Sequence, residues 1–164
     1  MCGIVGYTGE RRVVPILLEG LRRLEYRGYD SAGLVYFYEN RLVKYRAQGK
    51  LDNLAAVVDE HVGVSSFSGL GHTRWATHGA PTENNAHPHS DCSGELVVVH
   101  NGIIENYGAL RKELQKKGHR FSSDTDTEVL AHLIEEFLAG DLPAAVRKAL
   151  ELSLIHISEP TRPY

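Results

Sequence analysis

A chain of 164 residues, 42% hydrophobic and 24% charged, is long enough to bury a core and ordinary enough in composition for one globular domain. Its formal net charge of −3 gives no electrostatic case for nucleic acid or an anionic membrane surface, and no apolar run suffices for a signal core or a membrane span. The two cysteines, Cys2 and Cys92, make no disulfide framework, so a cytoplasmic location is expected.

The chain opens on Cys2-Gly3-Ile4-Val5-Gly6, with only Met1 in front. Removal of Met1 would leave a thiol and a free amine on one residue. An α-amino group, with a reference pKa of roughly 7.7 to 8.0, can take the proton that a nucleophilic thiol must lose. The plain reading is a short apolar strand, GIVGYT, carrying an incidental small residue. Next, Val13, Leu17, Leu21 and Leu24 recur at helical spacing, with Val14, Ile16 and Leu18 widening the stripe and Pro15 in the first turn. Leu34 to Tyr38 and Leu42 to Arg46 flank Glu39-Asn40-Arg41 and predict a hairpin. Leu51, Leu54, Ala55 and Val58 mark a short helix, and Gly69 to Ala76 an extended segment. Glu95 to His100 is apolar enough to predict a central strand.

Leu110 and Leu114, with Gly118 just past the end, predict a helix. Thr125 with Glu128 fits a capping box for a stronger one, whose buried face is Val129, Leu130, Leu133, Ile134 and Phe137. Asp141 caps a last helix, with Pro143 in its first turn and Val146, Ala149 and Leu150 facing inward. Hairpins mixed with helices predict an α+β fold. Residues 152–164 abandon the helical pattern without a cap and look like the translation of a sequencing-library adapter. They are expected to be a non-native tail, the domain being expected over residues 2–151 and the native protein to continue beyond it.

The motifs LRRLEYRGYDSAG, GHTRWATHG, NAHPH, VVVHNGIIEN and SDTDTEV, in this order behind the N-terminal Cys-Gly-Ile-Val-Gly, resemble the glutaminase domain of the glutamine–fructose-6-phosphate aminotransferase (isomerizing) family, which belongs to the class II glutamine amidotransferases. The resemblance implies an N-terminal-nucleophile hydrolase fold: a four-layer αββα sandwich with antiparallel sheets, here expected to be incomplete at its C-terminal end. It implies L-glutamine as substrate; no cofactor and no metal are expected. Fructose 6-phosphate would be bound only through isomerase domains absent from this sequence, and the full-length protein is expected to be a homo-oligomer.

His100-Asn101-Gly102 reads as a hairpin turn or, since no alternating strand follows, as an Asn amide and a Gly N–H aimed at an oxyanion. The resemblance favours the second, with Cys2 as the nucleophile and Asn101 and Gly102 as the oxyanion donors. Arg74 reads as a surface ion-pair residue or as a guanidinium fork for an amino acid's α-carboxylate; the resemblance makes it the fork. Asp126 reads as a helix-start carboxylate, and by resemblance also receives the α-ammonium of glutamine. Thr77 and His78 then lie on a loop over the substrate and Trp75 near the exit for ammonia. Arg27 and Tyr29 read as pocket wall or as loop packing. A zinc site from His87-Pro88-His89 with His72, His78 and His100 fits no common ligand spacing, and Cys92 has no partner cysteine. Other class II amidotransferases and a non-catalytic, histidine-rich metal-binding module stand as the alternatives.

Overall fold

The computed structural model describes residues 2–58, 66–76 and 79–153. The first half of the chain builds a four-stranded antiparallel sheet in the order β1 (Gly3–Thr8), β4 (Ser68–Arg74), β2 (Ser31–Tyr38), β3 (Arg41–Gln48). Two helices, α1 (Val13–Leu24) and α2 (Leu51–Val57), cover one face. The helical stripe read from the sequence is that contact: Val13, Val14, Leu17 and Leu21 bury themselves with Ala32, Leu34 and Tyr36 of β2 and Leu51 and Leu54 of α2. Alternation along β2 sends Gly33, Val35 and Phe37 to the opposite face.

That second face receives the segment around residues 84–90. Gly33 makes the approach possible, since a Cβ there would lie 2.0 Å from the carbonyl oxygen of His87. Arg46 donates from Nη1 to the carbonyls of Asn84 (3.1 Å) and Ala86 (3.4 Å), and Lys44 Nζ donates to Ser90 Oγ at 2.6 Å. Beyond it, β5 (His89–Ser90) and β6 (Val97–Val98) pair antiparallel, and α3 (Tyr107–Lys116), α4 (Glu128–Phe137) and α5 (Leu142–Leu152) close the outside. Leu114, Val129, Leu133, Ile134, Ala145 and Ala149 form this second core. Helix, sheet, sheet, helix is therefore the layer order, and the fold is the α+β, antiparallel one expected.

Three local readings are corrected. The run from Glu95 to His100 forms ladder pairs only at Val97 and Val98, both half-buried, because among the described residues only His89-Ser90 lies beside it. The capping box at Thr125 does not form. Instead the Glu128 carboxylate accepts from the N–H and Oγ of Ser122 (2.7 and 2.8 Å) and of Ser123 (2.8 and 2.6 Å), four donors against the one that Thr125 N–H offers. Leu150 is 48% exposed, and Ala145 takes the inward position in its place. Asp141 does cap α5, its Oδ1 accepting from Ala144 N–H at 3.0 Å. The adapter-like tail from residue 154 onward lies outside the described residues.

Candidate active site

The antiparallel register of β1 on β4 pairs Gly3 with Thr73, so Cys2 arrives beside Arg74 and Trp75 at one end of the sheet. The Trp75 N–H donates to Cys2 Sγ at 3.2 Å. Asn101, ninety-nine residues away in sequence, donates from Nδ2 to the Cys2 carbonyl at 3.0 Å. An amide nitrogen carries two N–H groups, so one remains for a second acceptor beside the thiol.

His72, one strand position back from Thr73, sets the amide's orientation through a 2.9 Å contact between its Nε2 and Asn101 Oδ1. Burial lowers the His72 pKa to about 4, outweighing the hydrogen bond to Asn101, so the ring is neutral near pH 7. The neutral ring has one N–H, and an acceptor oxygen at Nε2 requires it there. Asn101 Nδ2 then faces Cys2 because Oδ1 already accepts from His72. The sequence places His72 only in the zinc set that the ligand spacing disfavours; the signal it offers is the run of polar residues His72-Thr73-Arg74 closing an extended segment.

Arg74 is 3% exposed and donates to the loop carbonyls of Gly79 and Ala80, each at 3.2 Å. Burial lowers its pKa, against the attraction of Asp30, the Cys2 sulfur and Asp126. Asp126 is 4% exposed, and its Oδ2 accepts from the Ile104 N–H at 2.8 Å, two residues beyond Gly102. A buried cation and a buried carboxylate thus flank the Cys2–Asn101 pair. This arrangement can bind a zwitterionic amino acid and present its side chain to a thiol.

Asp30, which sequence reading passed over, pins the loop after β4: its Oδ2 accepts from Ala76 N–H, and its own N–H donates to the Arg74 carbonyl at 3.3 Å. Gly28 explains the glycine-bounded loop before β2, since a Cβ there would sit 2.8 Å from the Arg74 carbonyl carbon and oxygen. Trp75 is 47% exposed and meets the edge of Tyr29 with ring centroids 5.4 Å apart. Arg27 turns away to Tyr26. Thr77 and His78 lie outside the described residues.

His72, His87 and His89 adjoin one another, the first pair tilted with centroids 4.1 Å apart and the second edge to face at 4.6 Å, and all three are buried. Their ring nitrogens do not converge with those of His100 into a ligand set among the described residues. Nor does an apolar groove of about 410 Å³ on the second face of the large sheet, lined by Val35, Phe37, Leu42, Leu70 and Val97, approach the thiol.

A family profile described as "Glutamine amidotransferase domain" matches residues 56–143. The glutamine–fructose-6-phosphate aminotransferase (isomerizing) of Pyrococcus horikoshii is 54% identical over 152 residues, covering 92% of this chain and 25% of that protein. Its namesake from Thermus thermophilus is 55% identical over 151 residues, with the same 92% and 25% coverage. The chain thus spans about a quarter of the length of the curated relatives it matches. Among solved structures, a glutamine phosphoribosylpyrophosphate amidotransferase from B. subtilis, complexed with ADP and GMP, superposes with a TM-score of 0.79 at 28% identity, over 94% of this chain and 33% of that one. The fold is therefore the N-terminal-nucleophile hydrolase fold of glutamine amidotransferases. Among the described residues no helix is long and apolar enough to cross a membrane.

Proposed function

The chain belongs to the glutamine amidotransferase domain family, and from that premise we propose that residues 2–151 hydrolyse L-glutamine with Cys2 as the nucleophile. The observation that carries the reading is the convergence of the Cys2 thiol, the Asn101 amide, Arg74 and Asp126 at one sheet end from separate parts of the chain. With Met1 removed, the α-amine of Cys2 takes the thiol proton and the thiolate adds to the side-chain amide carbon. The oxyanion so formed accepts from the second Nδ2–H of Asn101 and from Gly102 N–H. The carbon–nitrogen bond then breaks, the α-ammonium returns its proton to the leaving nitrogen, and ammonia departs. Water, deprotonated by the same amine, adds to the glutamyl thioester; the carbon–sulfur bond breaks to give glutamate and the free thiol.

Arg74 pairs with the substrate's α-carboxylate and Asp126 with its α-ammonium, while Trp75, Thr77 and His78 belong to the loop over the bound amino acid. In the longer protein that the relatives exemplify, ammonia passes to fructose 6-phosphate to give glucosamine 6-phosphate in a cytoplasmic homo-oligomer. Release of glutamate and ammonia in equal amounts from L-glutamine tests the reaction; absence of both from the folded protein rejects it.

Two substitutions test the roles. Asn101→Ala is expected to lower kcat by roughly 10² to 10³, the effect of one oxyanion donor; near-normal turnover in a folded variant removes Asn101 from the mechanism. Arg74→Lys and Asp126→Asn are expected to raise the KM for glutamine about tenfold or more with a smaller change in kcat, because a charge pair made equally in ground and transition states acts on binding. An unchanged glutamine saturation curve for both would sink the assignment.

A further inference from the structure

On the outer face of the smaller sheet, away from Cys2, four side chains from three parts of the chain converge. Cys92 comes from the loop between β5 and β6, His119 from just beyond α3, and His132 and Glu135 from successive turns of α4. Their ligand atoms all lie within 4.8 Å of one another. We propose that Cys92, His119, His132 and Glu135 bind one zinc(II) ion in a closed structural site.

The distances fit. A tetrahedral zinc with Zn–S of about 2.3 Å and Zn–N of about 2.0 to 2.1 Å sets sulfur and nitrogen about 3.6 Å apart. Cys92 Sγ lies 3.8 Å from His119 Nδ1 and 3.6 Å from His132 Nδ1. Glu135 Oε2 lies 2.9 Å from the first of these nitrogens and 3.1 Å from the second. Those two separations need to open by roughly 0.3 to 0.5 Å to match a shared tetrahedral ion, a shift that a carboxylate on a half-exposed helix turn can make.

The surroundings also suit a metal. Both histidines turn Nδ1 inward and Nε2 toward a carboxylate: His119 Nε2 is 3.1 Å from Glu136 Oε2, and His132 Nε2 is 3.9 Å from Glu128 Oε1. For His119 this is the outer-shell hydrogen bond that fixes a ligating imidazole's tautomer, with the lone pair on Nδ1 and the proton on Nε2, while Glu128 acts on His132 through its charge alone. A purely hydrogen-bonded account must instead place a proton on each Nδ1 to serve Glu135. The sulfur accepts from the backbone N–H of Arg120 at 3.4 Å, as a thiolate ligand would.

A thiolate, a carboxylate and two neutral imidazoles offset the two charges of the ion, and the mixed sulfur, nitrogen and oxygen set at tetrahedral spacing favours zinc over magnesium or calcium. Binding displaces the thiol proton to solvent. Sequence reading expected no metal because Cys92 has no cysteine partner; its partners are histidines 27 and 40 residues downstream, a spacing that matches no short motif.

The test is metal analysis of the purified chain after dialysis against zinc(II), beside Cys92→Ser and His119→Ala. Cys92 is exposed and His119 lies outside the helices of the second core, so neither change opens that core as His132→Ala would. The expected result is about one zinc per chain, a melting temperature raised by at least about 5 °C at zinc a hundredfold above its dissociation constant, and loss of both effects in each variant with circular dichroism unchanged. Replacement by cobalt(II) should give tetrahedral visible bands and a thiolate charge-transfer band that Cys92→Ser removes. Zinc at background level in the folded chain, or equal zinc in the chain and both variants, overturns the proposal. Neither readout depends on glutaminase activity, so its failure leaves the hydrolysis reading untouched.

Discussion

A version of the protein in which any residue permanently precedes Cys2 is expected to fold normally and to show almost no glutaminase activity. The reason is electronic before it is steric. An acylated nitrogen cannot accept the thiol proton, and no other described base contacts Cys2 Sγ; its hydrogen-bond partner there is the backbone of Trp75. An extension would also crowd the Cys2 carbonyl that Asn101 holds. Cys2→Ser should fall by at least about 10³-fold, since a hydroxyl is far harder to ionise than a thiol. The comparison needs intact-mass spectra to establish which forms retain Met1, circular dichroism to show that they fold, and an ammonia assay. Full activity in a verified extended form would defeat the terminal-amine mechanism, and His100 would become the first base to test.

The second large effect is on stability. Burial lowers the pKa of His72 to about 4, that of His89 to about 3, and that of His87 well below its ordinary value. Above the unfolded value of about 6.5 both states are neutral and nothing is lost. Below it the unfolded chain takes up protons that the buried histidine cluster refuses, so stability falls as pH drops from 6.5 toward 4. His72 alone accounts for about 3 kcal/mol by the lower limit, against a typical total of about 5 to 15 kcal/mol. Glu128 adds to the fall further down: burial opposes its charge, but the neighbouring His132 ring and the donors of Ser123 and Ser122 outweigh this and hold its carboxyl well below the usual range. Its contribution is present above about pH 4.3 and lost beneath it. In the metal-free chain His132 acts oppositely. Burial would lower its pKa, yet Glu128 and Glu135 raise it, so its stabilisation is complete below about 6.5 and lost at higher pH. Urea midpoints measured between pH 7 and 4.5 should drop steeply, and His89→Gln, which keeps a partner for Thr125, should flatten the curve. A midpoint independent of pH over that window would contradict the account.

Periodicity made the large sheet and its helices legible. The α1 stripe, the β2–β3 hairpin and the short α2 each rest on contacts local enough for spacing to report them. The strand expected at Glu95 to His100 was misjudged because apolar content reports burial, whereas ladder length depends on what lies alongside. Glu128 departs from the capping-box pattern because the Ser122-Ser123 turn just upstream offers its carboxylate four donors, against the one N–H that a capping box supplies. Of the candidate site, Cys2, Asn101, Arg74 and Asp126 were found through motif resemblance, and the structure brings those four together. His72 and Asp30 escaped because their work is to orient other groups, and orientation leaves no trace in residue spacing.

The turn at Glu39 and Asn40, with φ of 46° and 63°, is the two-residue reversal that joins β2 to β3. Ser31, which pairs with Arg74, marks the reactive end of that strand; the turn lies at the other end, roughly 24 Å away at about 3.4 Å per residue. For anyone immobilising or labelling this chain, the usual N-terminal handle is the position that the proposed terminal-amine chemistry forbids. A short epitope or fluorophore-acceptor loop grafted between Glu39 and Asn40 would relieve the two left-handed residues of a tight reversal and leave the amine of Cys2 unmodified.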